Sequence, residues 1–149
     1  MDLRKRLESD LYQSMRDNDA VAKNTIRMVL TSLKLAEVEK GHAFDESEIM
    51  GIIQKELKMR SESMNEFDKG NRQDLVEKTR KEMAVLEKYL PKQLTDEELL
   101  VIIDKVIKDT GASLSSDMGK VMKLVLPILQ GKAPADRVSK LVKSRLTKE

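Results

Sequence analysis

Pro91 and Thr95 divide this chain between two sets of helices. Pro91 lacks a backbone N–H and disfavours a helical conformation at Leu90, so the helix leading into it is predicted to end there. Thr95 is a favourable N-cap, and Glu98 can reach back to the backbone of the cap to complete a capping box. The sequence therefore predicts a helical domain at 1–90, a hinge at 91–95 and a second helical domain at 96–149.

Apolar residues recur at helical spacing on both sides of this break, and no strand-like alternation is present. Leu3, Leu7, Leu11 and Met15 begin the series. The stripes predict four helices before the break, over about 2–17, 20–40, 46–70 and 71–90, with Asn71 as the cap of the fourth. Three shorter helices follow, over about 96–109, from residue 115 or 116, and from Pro134 as the first helical residue.

Short connections favour antiparallel packing of consecutive helices. The predicted fold class is therefore all-α, with N-terminal antiparallel helical hairpins or a bundle followed by a small three-helix C-terminal domain. Pro127 lies inside the apolar stripe of the sixth helix and is expected to kink that helix or to end its regular part. The methionines fall mostly on the stripes, where core packing is the first interpretation and a partner-binding surface the second.

Few residues offer chemistry for catalysis or metal binding. The chain has no cysteine, which excludes disulfides and thiolate chemistry, and His42 is its one histidine. No Walker A sequence is present, because Gly119–Lys120 and Gly131–Lys132 lack the following Ser or Thr. Asp96 and its acidic neighbours fall in a first helical turn, where they stabilise the helix dipole. We predict no catalytic residue, no metal site and no cofactor.

The sequence also suggests a location. A charged run from Asp2 to Arg6 follows Met1 without an apolar core behind it, so no signal peptide is predicted. No apolar run is long enough to span a membrane. The cysteine-free, charge-rich composition is compatible with a cytoplasmic protein, and that is the predicted localisation.

Positive charge is concentrated at the C-terminal end of the chain. The net charge is only +2, but residues 118–149 carry 8 basic and 2 acidic side chains. The candidate binding residues are Lys120, Lys123, Lys132, Arg137, Lys140, Lys143 and Arg145. Such a set suits phosphate contacts, and the absence of aromatic residues around it disfavours base stacking. The alternative is a solvated helical face without a ligand.

Six short stretches, taken together, resemble a known family. They are Ile26–Leu30, the set Lys58, Arg60 and Glu62, then Gly70–Leu75, Tyr89–Leu94, Asp117–Met122 and Gly131–Ala133. On these stretches the chain is similar to the YqeY proteins, free-standing relatives of the tail domain of the aspartyl/glutamyl-tRNA amidotransferase B subunit. It departs from the family pattern after Ala133, where Pro134 and Ala135 follow.

The resemblance implies an all-helical fold and a link to tRNA, since the amidotransferase tail engages tRNA. It implies no reaction, because the amidotransferase active sites lie in other domains. We therefore expect a non-catalytic tRNA-binding or amidotransferase-related module, with tRNA and a tRNA-charging or amidotransferase protein as partners. Gly119 and Gly131 would allow a turn or a close backbone approach, with helix packing and capping as the alternative role.

Two other functions remain open. One is a protein-interaction module that makes no RNA contact. The other is a component of glutamine-dependent amide transfer to aminoacyl-tRNA, that is, part of a carbon–nitrogen ligase. That reaction needs a nucleophile and an ATP site, and neither is visible in the sequence.

Overall fold

The computed structural model describes residues 2–129 and 131–146, and all regular structure in them is helical. The all-α prediction is confirmed. The helices are α1 (Leu3–Arg16), α2 (Ala20–Lys40), α3 (Glu46–Lys69), α4 (Gln73–Glu87), α5 (Asp96–Thr110), α6 (Met118–Ile128) and α7 (Ala135–Arg145). A 3₁₀ turn at Ser115–Asp117 precedes α6. The chain forms two compact units, Met1–Leu90 (unit 1) and Pro91–Glu149 (unit 2).

Unit 1 is built from α1 to α4 around an aliphatic core. α1 packs on α2, α3 packs on α4, and α2 also contacts α3 and α4. The buried residues of this core are Leu3, Leu7, Ile26, Val29, Leu33, Ile49, Ile53, Leu86 and Tyr89. Residues of this set recur three, four or seven positions apart within their helices, which is why the apolar stripes in the sequence locate the core correctly.

In the loops at residues 17–19 and 70–72, an asparagine in the left-handed conformation follows the end of a helix. Asn18 and Asn71 have positive φ of 54° and 57°. The N–H of Arg72 donates to the carbonyl of Phe67 at 2.8 Å, and the N–H of Asn71 donates to the carbonyl of Asp68 at 3.1 Å. These two bonds form a Schellman motif. Asn71 therefore closes α3, and the prediction that it caps α4 is wrong; Arg72 holds that position without a side-chain cap bond.

α4 ends at Glu87, three residues earlier than predicted. Tyr89 and Leu90 continue in tight turns, with their N–H groups donating to the carbonyls of Leu86 and Glu87 at 3.1 and 3.3 Å. The Tyr89 hydroxyl donates to Asp10 at 2.5 Å, and its ring lies 4.8 Å under the Arg6 guanidinium. Burial and the Asp10 carboxylate hold the pKa of Tyr89 well above its usual value. These contacts fix the segment that precedes Pro91 onto α1.

Unit 2 packs α5, α6 and α7 around a second core. Its buried residues are Leu99, Ile103, Val106, Ala112, Val121, Val125, Leu129, Ala133, Val138, Val142 and Leu146. Thr95 and Glu98 form the predicted capping box at the start of α5. The segment before it is tied to the same unit, because the N–H of Leu94 donates to the Lys132 carbonyl at 3.0 Å and Gln93 Nε2 donates to the Gly131 carbonyl at 2.7 Å.

The prolines of unit 2 lie at helix ends. Pro127 is in the last turn of α6, which ends at Ile128. Of the two predicted effects, a kink or the end of the regular helix, the second is the one observed. Pro134 is the N-cap of α7 and not its first helical residue, with ψ at 143°. Its carbonyl accepts the first bond of the helix from the N–H of Val138 at 3.1 Å.

Glu37 joins three segments of unit 1, and its neutralisation in Glu37→Gln is expected to destabilise the protein in a pH-dependent way. The hydrogen bond from Arg4, followed by that from the N–H of Phe44, lowers the pKa of Glu37 below its usual 4.5. A lowered pKa contributes stability that is present above the unfolded-state pKa and is lost as pH falls through the folded pKa.

Urea unfolding between neutral pH and about pH 3 measures this effect. The difference in unfolding free energy between the wild type and Glu37→Gln should shrink as the pH falls below 4.5. Glu39→Gln, which alters an exposed carboxylate on the same helix, is the control and should show a small difference throughout. If the difference in unfolding free energy between the wild type and Glu37→Gln stays constant across this pH range, the role assigned to Glu37 is wrong.

Candidate functional site

The seven predicted cations all lie in unit 2. Lys120 and Lys123 are on α6, Lys132 is in the turn that follows, and Arg137, Lys140, Lys143 and Arg145 are on α7. The buried residues of α6 are Val121 and Val125, so the two lysines of that helix project away from the core. Lys140 and Lys143 likewise project away from the buried side of α7.

Two of the seven cations are neutralised by α5. Arg137 Nη2 lies 2.5 Å from Asp96 Oδ1, and Arg145 Nε lies 3.2 Å from Asp104 Oδ1. Both pairs are substantially exposed to solvent, so each is worth little to stability. Their effect on a ligand is larger, because a paired arginine offers less charge to a phosphate. Position on the chain alone did not distinguish these arginines from the lysines.

The remaining five cations are exposed lysines. Lys120 Nζ approaches the Thr110 carbonyl at 3.4 Å. Within the residues that the structure describes, none of the five has a carboxylate partner within ion-pair distance. They are Lys120, Lys123, Lys132, Lys140 and Lys143. These exposed side chains are available for contacts with a phosphate backbone. The charge of Lys120 also acts on Asp117 and contributes to lowering the pKa of that carboxyl.

The two glycines singled out in the sequence have different surroundings. Gly119 is in the first turn of α6, and a Cβ added there would meet no atom within 4 Å. Gly131 is buried and has a φ of 75°, in the left-handed region that favours glycine. The carbonyl of Gly131 accepts the Gln93 hydrogen bond, so this turn holds Lys132 next to the segment that enters α5.

Unit 1 contains a buried charged cluster that the sequence analysis missed. Arg60 Nη1 donates to Glu56 Oε2 at 3.1 Å, and Arg60 Nε donates to Glu82 Oε1 at 3.2 Å. Glu56 also accepts from the Ser32 hydroxyl at 2.7 Å. Only 8% of the Arg60 side chain and 7% of the Glu56 side chain are exposed. Charges this deeply buried are tolerated only with such partners.

A signal for this cluster was present in the sequence. Ile49 and Ile53 mark the buried side of α3, and Glu56 and Arg60 continue it at positions i+7 and i+11 from Ile49. A carboxylate and a guanidinium four residues apart on an apolar stripe predict a buried ion pair. Glu82, from α4, could be assigned to it only from the folded structure.

The cluster opens onto a cleft of about 280 Å³ between α2, α3 and α4. Met28, Met59 and Phe67 form apolar parts of its wall, and Lys78 is on its lining. Arg60 Nη2 has the Met28 sulfur, at 3.6 Å, as its acceptor, and sulfur is a weak one. A strong donor is thus poorly satisfied at the side of an open cleft.

His42 and the carboxylates form no comparable site. His42 is exposed, and its Nε2 lies 3.8 Å from Glu48. Over 2–129 and 131–146, no three or more acidic or histidine side chains are grouped so as to hold a metal ion. No helix in the same ranges is both long and apolar enough to cross a membrane.

The family model for Yqey-like protein matches residues 4–146 of this chain. The protein from Pyrenophora tritici-repentis named "Altered inheritance of mitochondria protein 41, mitochondrial" is 32% identical over 92% of this chain and 77% of its own length. The protein of the same name from Vanderwaltozyma polyspora is 36% identical over 56% of this chain, and the one from Saccharomyces cerevisiae is 32% identical over 76% of this chain. The matches span 46% and 61% of these two relatives.

These names overturn the predicted cytoplasmic localisation. The three relatives are each named as mitochondrial proteins. The prediction rested on the lack of cysteine and on a charge-rich composition, and both properties are equally compatible with other reducing compartments. Composition therefore carried no information that could separate the two locations.

Proposed function

Since this chain belongs to the YqeY-like protein family, we propose that it is a non-catalytic helical module that binds the phosphate backbone of tRNA through unit 2. The observation that supports the proposal most strongly is the set of five exposed lysines on α6, α7 and the turn between them. No described carboxylate pairs with them. Binding of this kind is electrostatic, because lysine contacts to phosphates release condensed counterions.

The proposal makes tRNA the partner, and a tRNA-charging or amidotransferase protein the source of any specificity beyond the backbone. Lysines on helix surfaces provide affinity without base readout. Unit 2 has no aromatic side chain, so stacking on unpaired bases is not available to it. Structured RNA with a regular phosphate spacing is the ligand that this charge arrangement fits.

The experiment is a titration of labelled bulk tRNA with the full-length protein, followed by fluorescence anisotropy from about 50 to 200 mM salt. Binding at the low end that weakens steeply with salt supports the proposal. Absence of binding at about 50 mM salt would rule out a direct tRNA role. A duplex DNA of similar length, titrated in parallel, reports whether the RNA form of the backbone is preferred.

Asp104→Asn is expected to strengthen tRNA binding. The substitution releases Arg145 from the ion pair on α5, so one more cation is available to a phosphate. The slope of log affinity against log salt should become steeper by up to about 0.9, the contribution of one phosphate contact.

The matched control is Asp109→Asn, which makes the same charge change on the same helix without releasing a described arginine partner. It should raise affinity less than Asp104→Asn. Equal effects of the two variants would show that only net charge matters and that Arg145 is not at the binding surface.

A further inference from the structure

We propose that unit 1 carries a docking groove for an amphipathic α-helix of a partner protein, formed by α2, α3 and α4. The groove belongs to unit 1, whereas the lysines belong to unit 2, and its proposed role goes beyond tRNA binding. Four features of the groove support this role: its length, its exposed apolar side chains, the balance of charge along it and its fixed polar floor.

The groove consists of two adjoining clefts. The first is the cleft beside the Arg60 cluster, between α2, α3 and α4, and the second, also of about 280 Å³, lies between α2 and α3. Glu56 and Met59 are on the lining of both. Along α3 the lining runs from Ile52 to Phe67, which at 1.5 Å per residue is about 22 Å. A helix of about four turns has this length.

Large apolar side chains line the groove and are left open to solvent. Met28, Leu35 and Met59 are 53%, 66% and 52% exposed. They come from two helices: Met28 lines the first cleft, Leu35 lines the second, and Met59 lines both. They are therefore grouped, unlike single exposed apolar residues, which are common. Grouped exposed apolar side chains are a feature of protein interaction sites. Methionine is suited to it, because its flexible thioether adapts to the side chains of a docked helix.

The charges along the groove favour a protein over a nucleic acid. The lining contains three cations, Lys55, Arg60 and Lys78, and three carboxylates, Glu39, Glu56 and Glu82. The net charge of the lining is therefore zero, and its carboxylates would repel a phosphate backbone. Apolar walls flanked by charges of both signs match a helix that has apolar residues on one face and mixed charges beside them.

The floor of the groove is held in place before any partner arrives. Ser32 of α2 bonds to Glu56 of α3, and Arg60 links Glu56 to Glu82 of α4. Three helices are thereby cross-linked beneath the apolar surface, which reduces the ordering cost of docking. The weakly satisfied Nη2 of Arg60 offers a donor to a polar side chain of the bound helix.

The test is selection of peptides about 15 residues long, the length of the groove, from a displayed random library on the immobilised full-length protein. Selected peptides are then titrated against the wild type and against Leu35→Glu, Met59→Glu and Val38→Glu. Val38 is 74% exposed on the same helix as Leu35 but is not on the lining of either cleft, so it is the matched control. Thermal unfolding followed by circular dichroism verifies that all variants are folded.

The expected result is a set of peptides with apolar residues at i, i+3 or i+4, and i+7, whose affinity falls at least tenfold in both groove variants and is unchanged in Val38→Glu. Selection of no peptide, or of peptides that bind the groove variants as well as the wild type, would overturn the proposal. A loss of tRNA binding in Leu35→Glu and Met59→Glu would also overturn it, because the groove would then be part of the RNA surface.

Discussion

Arg60→Ala is expected to lower the free energy of unfolding by about 3–5 kcal/mol, the largest effect of any substitution considered for this protein. The Arg60 side chain is 8% exposed, and its guanidinium bonds to carboxylates from α3 and α4. Its removal leaves the Glu56 side chain, which is 7% exposed, without its cationic partner. Urea-induced unfolding of the full-length chain measures the change.

Arg80→Ala is the control for this prediction. Arg80, on α4, also has a carboxylate partner, Glu77 at 3.5 Å, but both side chains are more than half exposed. An exposed pair of this kind contributes about 0–1 kcal/mol. A similar loss of stability in Arg60→Ala and Arg80→Ala would mean that the Arg60 cluster is solvated and does not hold α3 against α4.

The double variant Lys140→Glu/Lys143→Glu is expected to weaken tRNA binding at least tenfold at about 50 mM salt. The two lysines are three residues apart, so they share one face of α7. Reversing both removes two of the cations proposed to bind phosphates and adds two repulsive charges. The salt slope should become shallower by about 1.8, since each phosphate that a lysine neutralises contributes about 0.9. Fluorescence anisotropy with labelled tRNA measures both quantities.

Lys105→Glu/Lys108→Glu is the matched control for that variant. These lysines are exposed on α5 of the same unit, have the same spacing, and give the same change in net charge. If binding is localised on α6 and α7, the control reduces affinity much less and retains the wild-type slope. Equal reductions in affinity in the two double variants would assign the binding to overall charge and remove the argument for a defined surface.

Local rules were sufficient to predict most of the helices. α2 begins at Ala20 and ends at Lys40 as predicted, because Asp19 caps its start and Gly41 supplies the left-handed residue at its end. The rules failed where one residue suits two roles. Asn71 is a good N-cap and also tolerates positive φ, and in this chain it closes α3, since Gly70 does not adopt the left-handed conformation.

The candidate sites were harder to predict, because they depend on contacts between helices. The exposure of Lys140 and Lys143 follows from the stripe of α7, whereas the pairing of Arg145 with Asp104 requires knowing that α7 packs on α5. Arg60 shares the apolar stripe of α3 with Glu56, which is a local signal for their ion pair. Its burial depends on Glu82, which is distant in sequence, and no local pattern specifies that contact.

The salt dependence of tRNA binding by the wild-type protein tests the central proposal most directly. If the five lysines of unit 2 without a described ion-pair partner contact phosphates, log affinity should fall with log salt with a slope between about −3.5 and −4.5. A slope near zero, or no detectable binding at about 50 mM salt, would contradict the proposal that this surface binds the RNA backbone.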